Sequence, residues 1–275
     1  MASLLALLSA ALWGSSDFEG GRISKRYPAI SVLGATQLIS LVFGFGLILA
    51  IGETQLTSKI FFAGAAAGLF GYLGLICLYA GLSTGKMGVV SPISSLSVLI
   101  PMSVALIGGE TMRTWTAIGC ALAIIGGFLT SGPEFSSGIS MKPLMLAVGA
   151  AFGFGTALTF MAIGAEDAPI LTMVCMRIAT AFVTIAIAIN KRGFGGLGKQ
   201  NLPSLIFIGI ADFGANAALG LAVNIGPVAV SMVLGALYPV FTVVLAYFIL
   251  HERLHKAQYI GGAAAVIGVA LISAF

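Results

Sequence analysis

Ten apolar segments divide nearly the whole chain between them, at roughly 3–20, 29–51, 60–82, 89–108, 114–130, 142–163, 170–189, 202–222, 228–249 and 257–274. A helix that crosses a bilayer needs about 20 predominantly apolar residues, and each segment is near that length. The connections between them are short and hold helix-ending punctuation: Gly20-Gly21, Gly132-Pro133, Gly193 to Gly198 and Gly226-Pro227. No stretch is left over for a soluble domain. Only 8% of the residues are charged and 59% are hydrophobic, where an average soluble domain is about 25% charged. A soluble core of this size could not hide so much apolar surface, so the reading is an all-α integral membrane protein in the lipid bilayer. The first fourteen residues lack the basic flank of a signal peptide and their apolar run continues into Trp13 and Ser15-Ser16, so they are read as the first span.

The chain also repeats itself. Glu110–Leu129 returns without a gap as Glu252–Leu271, a shift of 142, with eight of twenty pairs identical. The pairs Glu110/Glu252, Gly119/Gly261, Ala123/Ala265 and Gly126/Gly268 are among them. Near the chain start the offset is 141, which sets Trp13-Gly14 on Phe154-Gly155 and Gly85 on Gly226. The duplication pairs helices one to five (1–132) with helices six to ten (133–275). An odd number of spans per unit forces the second copy upside down, giving ten transmembrane helices as two inverted five-helix repeats.

The basic residues agree with inversion. In the first half they favour the connections after its first and third helices (Arg22, Lys25, Arg26, Lys86), and in the second half those after its second and fourth (Lys191, Arg192, Lys199, Arg253, Lys256). The positive-inside rule then puts both termini outside. Gly119, Ala123 and Gly126 fall at i, i+4 and i+7, as do Gly261, Ala265 and Gly268. Such a smooth stripe lets two helices approach closely, either the fifth on the tenth or two copies of the chain in a dimer, so both monomer and homodimer stay open.

Short motifs carry a family resemblance. Ala11-Leu12-Trp13-Gly14-Ser15-Ser16 resembles the opening of the EamA branch of the drug/metabolite transporter superfamily. Gly88-Val89-Val90-Ser91-Pro92 through Gly109-Glu110 is similar to that family's third-to-fourth-helix region, and Tyr238-Pro239 with His251-Glu252-Arg253-Leu254 is similar to its second copy. The resemblance covers the whole chain. It implies ten helices in two inverted repeats, a central cavity and alternating access, and it leaves the solute open.

Ionisable and polar residues inside the spans are the candidate site. Asp212 sits near the centre of the eighth span, where insertion of a carboxyl costs about 2.5–3.5 kcal/mol. Proton uptake and release, or contact with a substrate amine, are its functional uses; an interhelical hydrogen bond is the structural one. Asn216 lies one turn on, on the same face. Arg177, in the seventh span, can bind a substrate carboxylate, pair with Asp212 or snorkel. The matching place in the first half holds Thr36-Gln37, so Gln37 joins the candidates and symmetric charge is absent. Asp17 stands one turn past Trp13 and either faces a cavity or joins Glu19 and Arg22 at the interface. Trp13, Tyr72, Tyr79 and Tyr238 suit cavity walls, core packing or interface anchoring. Pro92, Pro101 and Pro239 each free a helical carbonyl and mark hinge positions.

Other chemistries find little support. His251-Glu252-Arg253-Leu254-His255 matches the H-E-x-x-H zinc-protease pattern, but Glu252 is the repeat partner of Glu110, whose neighbours Gly109 and Arg113 offer no ligands. A capping or turn role explains what the two glutamates share, and a membrane metalloprotease is the remote alternative. Cys77, Cys120 and Cys175 lie in apolar runs without disulfide or metal spacing. A net charge of +4, dispersed over short loops, does not point to nucleic acid. There is no Walker motif and no filter-like loop, and no cofactor is implied. The expectation is a secondary transporter that is not an enzyme, in a bacterial inner membrane, exporting a metabolite or drug with proton coupling. An uncoupled facilitator or uptake permease for a sugar or related metabolite is the alternative.

Overall fold

The computed structural model describes residues 1–84, 87–133, 141–190, 196–251 and 253–274. Lys86, Lys191, Arg192 and Glu252, which entered the loop-charge and turn readings, lie outside the described residues, as do the side chains at 79, 82–84, 87–89, 91 and 190. The elements are α1 (Ala2–Ser24), α2 (Ala29–Ile51), α3 (Ser58–Thr84), α4 (Met87–Ser95), α5 (Leu99–Ile107), α6 (Thr114–Thr130), α7 (Met141–Ala165), α8 (Pro169–Asn190), α9 (Leu202–Ile225), α10 (Val228–Gly235), α11 (Tyr238–Leu250) and α12 (Lys256–Ala274). No strand occurs among the described residues.

Seven of the described helical segments are long and apolar enough to cross a membrane: α2, α3, α7, α8, α9, α10 with α11, and α12. Pro92–Ile107 and Thr114–Thr130 are shorter apolar helices. Large apolar side chains such as Val42, Leu49, Phe62, Phe182, Phe248 and Val266 face outward, which suits a surface whose solvent is lipid.

Two segments expected as continuous spans are broken. The segment 89–108 divides into α4 and α5 around a 3-10 turn at Leu96–Val98, and 228–249 divides into α10 and α11 at Ala236 and Leu237. Proline chemistry accounts for the position of the breaks. Pro101 is the third residue of α5 and Pro239 the second of α11. Neither has an amide hydrogen, so the carbonyls of Ser97 and Gly235 lose their i+4 donor and the preceding turn tightens. At the second break Leu237 N–H donates to Leu234 O at 3.2 Å, an i−3 bond.

The packing comes in couples that exchange when the two halves are exchanged. α3 lies on α7 as α1 lies on α9; α3 meets α8 as α2 meets α9; α4 and α5 meet α7 as α10 and α11 meet α1. Close approaches follow the same relation. A Cβ at Gly14 would stand 2.5 Å from Phe241 Cβ and 2.7 Å from Tyr238 O, while one at Gly155 would stand 2.8 Å from Ile100 Cβ and 2.6 Å from Ser97 O. Each residue of the second set is paired with one of the first by the 141-residue offset.

α2 with α8 and α6 with α12 map onto themselves under that exchange. At the α6–α12 contact Gly119 faces Gly268 and Ile272, while Gly126 faces Gly261 and Ala265. Number rises on one helix as it falls on the other, so the two copies of the repeated helix pack antiparallel. The glycine–alanine stripe is therefore used within the chain, the fifth predicted span on the tenth.

Polar ties at the helix ends also cross between halves. The Glu110 carboxylate accepts from the N–H groups of Val228 (2.8 Å) and Ala229 (3.0 Å), capping α10. Glu53 accepts from Ile170 N–H at 3.2 Å, at the start of α8. Lys59 pairs with Glu166 at 2.9 Å and Asp167 at 3.1 Å. The N-terminal turn of a helix presents unpaired N–H groups, which is why carboxylates settle there. His251 ends α11 in the left-handed conformation (φ 55°). Among the described residues no group of three or more His, Cys, Asp or Glu side chains could hold a metal ion.

Candidate functional site

Arg177 projects from α8 into the middle of the bundle and is only 2% exposed. A guanidinium there must find acceptors, because an unpaired charge in an apolar interior is costly. Nη2 donates to Asp212 Oδ2 at 2.7 Å and Nη1 to Gln37 Oε1 at 2.8 Å. Gln37 also accepts from Thr180 Oγ1 at 3.1 Å, so one amide oxygen fixes both side chains of the same face of α8. Gln37 belongs to the repeat counterpart of the Arg177 region. Neighbouring positions of the two copies thus meet across the α2–α8 contact, charge on one side and amide on the other.

Asp212 is held from several sides by neighbours on α1, α8 and α9. Its Oδ1 accepts from Trp13 Nε1 at 3.2 Å and lies 3.4 Å from Asn216 Nδ2. Asn216 Nδ2 donates more tightly to the Asp212 backbone carbonyl, at 2.7 Å. The side-chain exposures of Arg177 and Asp212 are 3% and 23%. The arginine is therefore a buried anchor, and the carboxylate is the partner that reaches open space.

That space is a cavity of about 200 Å3. α1 contributes Trp13 and Asp17; α3 contributes Gly68, Gly71, Tyr72, Leu75 and Leu78; α7 contributes Phe154, Ala157 and Leu158. Met176, Arg177 and Thr180 come from α8, Asp212 and Asn216 from α9, Ser97 from the α4–α5 break and Tyr238 from the start of α11. Both halves of the chain supply walls. The sequence offset of 141 sets Asp212 on Gly71, so the carboxyl of one repeat is matched by an absent side chain in the other. The Trp13 and Tyr238 rings meet edge-on, 6.3 Å between centroids. Tyr72 is 4% exposed, with its hydroxyl 3.5 Å from Thr184 Oγ1.

Of the residues expected at a site, Trp13, Asp17, Tyr72, Arg177, Asp212, Asn216 and Tyr238 are brought to this one cavity. Gln37 stands behind the wall and orients Arg177. The side chain of Tyr79 lies outside the described residues. Asp17 does not share the interfacial pair: Glu19 and Arg22 bind one another at 2.8 Å. Two residues on a helix turn the side chain by about 200°, which carries Glu19 away from the Asp17 face. Thr180, Ser97, Phe154 and Met176 were not anticipated. The repeat offset could have found Phe154, as the counterpart of Trp13, and Thr180 lies one turn beyond Arg177.

The profile of the EamA-like transporter family matches residues 1–132 and again 141–274. The chain belongs to the EamA-like transporter family. It is accordingly a multi-pass integral membrane protein of transporter type, built from two copies of the EamA unit. Twenty-nine solved chains match it. One, described only as a crystal structure of a protein, superposes with a TM-score of 0.82 at 18% identity, covering 99% of this chain and 96% of its own. That likeness is one of fold. No curated protein matches.

Proposed function

We propose that this EamA-like protein is a secondary transporter that moves a small organic solute by alternating access through the central cavity. In this reading ten transmembrane helices form two inverted repeats, 1–132 and 133–275, in a bacterial cell membrane, and the cavity at their seam is the solute site. The antiparallel packing of α6 on α12 and the exchange-related helix couples support inversion. The observation that carries the functional reading is the Trp13–Asp212–Arg177–Gln37 chain of hydrogen bonds ending at a cavity lined by both halves. An ionisable residue kept at membrane depth marks a solute or proton pathway more often than a packing need.

The direction proposed is export of a metabolite or drug, with Asp212 exchanging a proton for solute. Proteoliposome flux with and without a pH gradient tests it, alongside Asp212→Asn. Coupled exchange makes flux follow the gradient, and Asp212→Asn uncouples or abolishes it; flux that ignores the gradient with a fully active Asp212→Asn refutes the coupling. A second reading, an uncoupled facilitator, is favoured by one feature: both Asp212 oxygens already have protein partners in Arg177, Trp13 and Asn216. Asp212 would then only position Arg177 and Trp13.

A further inference from the structure

The ionisable groups around the cavity do not balance. Asp17, Asp212 and Arg177 are the acidic and basic residues among its lining, two carboxyl groups against one guanidinium. Arg177 is committed: two of its nitrogens bind Gln37 and Asp212, and Nε is buried without a hydrogen-bond partner. Its remaining N–H groups are buried with it, at 2% exposure, so it offers little of its charge to an anion in the cavity. Asp17 is the opposite case. Its side chain is exposed at the cavity and makes no hydrogen bond or ion pair among the described residues. It lines the same cavity as Asp212, so a cation bound there would have a carboxyl group on either side.

The walls fit a cation too. Trp13, Tyr72, Phe154 and Tyr238 line the same space, and aromatic faces attract cations, most strongly where water is excluded. Trp13 is fixed by its bond to Asp212 and by its edge-on contact with Tyr238, so its ring is held in place before any ligand arrives. Leu75, Leu78, Leu158 and Met176 complete an apolar lining.

We propose that the cavity selects an organic monocation with an apolar body, an amine or quaternary ammonium, and that Asp17 is the carboxylate that faces its charge. The proposal rests on the cavity being the solute site and names the class of solute it takes. Asp212 remains the partner of Arg177.

Equilibrium binding to the purified full chain in detergent tests this. Trp115→Phe leaves Trp13 as the single tryptophan, and its emission reports occupancy. The probes are phenyltrimethylammonium, its uncharged isostere tert-butylbenzene, and benzenesulfonate. The ammonium should bind at least about tenfold tighter than the isostere, and the sulfonate weakest. Asp17→Asn should erase the preference for the ammonium and Asp17→Glu should keep it. If Asp17→Asn does not fold, Asp17→Ser is read in its place. Equal binding of ammonium and isostere, tighter binding of the sulfonate, or an unchanged preference in Asp17→Asn overturns the proposal. Because flux is not measured, the two readings fail separately: a charge-selective protein that transports nothing refutes only the transporter reading, and transport without charge preference refutes only this one.

Discussion

Adding one methyl group at Gly126 tests how closely the two copies of the repeated helix meet. The Cβ of Gly126→Ala would stand 2.5 Å from Ala265 N, 2.7 Å from Gly261 O and 2.8 Å from Ala265 Cα. All three are backbone atoms, so no rotamer change can make room. Ordinary contact for a Cβ begins near 3.4 Å, and α12 would have to retreat by about 0.9 Å at that point. Overpacking of this kind costs about 1–3 kcal/mol, offset by up to about 1 kcal/mol from replacing glycine in a helix. With the full offset the expected net loss is about 0–2 kcal/mol, against a gain of up to about 1 kcal/mol where the methyl meets nothing. Gly268 is the repeat counterpart, and its Cβ would stand 2.6 Å from Gly119 O and 2.7 Å from Ala123 N, so Gly268→Ala should lose a similar amount. Gly262, on the same helix, has nothing within 4 Å of its Cβ position, and Gly262→Ala should be neutral or stabilising. Thermal unfolding in one detergent, followed as the monodisperse fraction surviving each temperature, ranks the three variants. A Gly126→Ala protein as stable as Gly262→Ala, or a loss at only one of Gly126 and Gly268, would refute the antiparallel close approach.

Two further outcomes follow from named contacts. Asp212→Ala strands a buried guanidinium and should cost roughly 3–5 kcal/mol. Arg177→Met should cost less, since Trp13, Asn216 and cavity access remain to Asp212; thermal melts of the two variants decide it, and the reverse order sinks the assignment of Arg177 as the buried anchor. Glu110→Ala removes both side-chain bonds to the start of α10 and should cost about 1 kcal/mol. Glu110→Gln, which keeps one acceptor, should recover part of that in the same melt, and equal losses would show that the bonds to Val228 and Ala229 do not matter.

The helical fold was legible because hydropathy and duplication act on long stretches. Segments such as 29–51 and 114–130 coincide with α2 and α6 to the residue, since their ends coincide with changes in polarity. The breaks at 96–98 and 236–237 were not legible as breaks. Proline says that a carbonyl is released, while whether the chain kinks, tightens or parts depends on neighbours that come from distant sequence. The site divides along the same line. Asp212 and Arg177 stood out because charge is expensive in lipid wherever it points. Asp17 gave a divided signal, because its position near charged Glu19 and Arg22 also resembles an ordinary helix end. Ser97 and Met176 are unremarkable in composition, and only the packing of α7 against the α4–α5 break and of α3 against α8 brings them to the cavity.

The exchange-related packing has a consequence for how the protein is made. α1 finds its main partner in α9, and Trp13 is 199 residues from the carboxylate it binds. At about 5–20 residues per second of synthesis, the first helix waits roughly 10–40 s for that partner to be translated. Throughout that interval Asp17 and Trp13 sit on a helix whose polar face has nothing to meet, and Glu110 likewise precedes the amides it caps by 118 residues. The first repeat is therefore an unfinished surface while the ribosome is still at work. Insertion machinery must shelter it, or other copies of the same nascent helix will compete for its face.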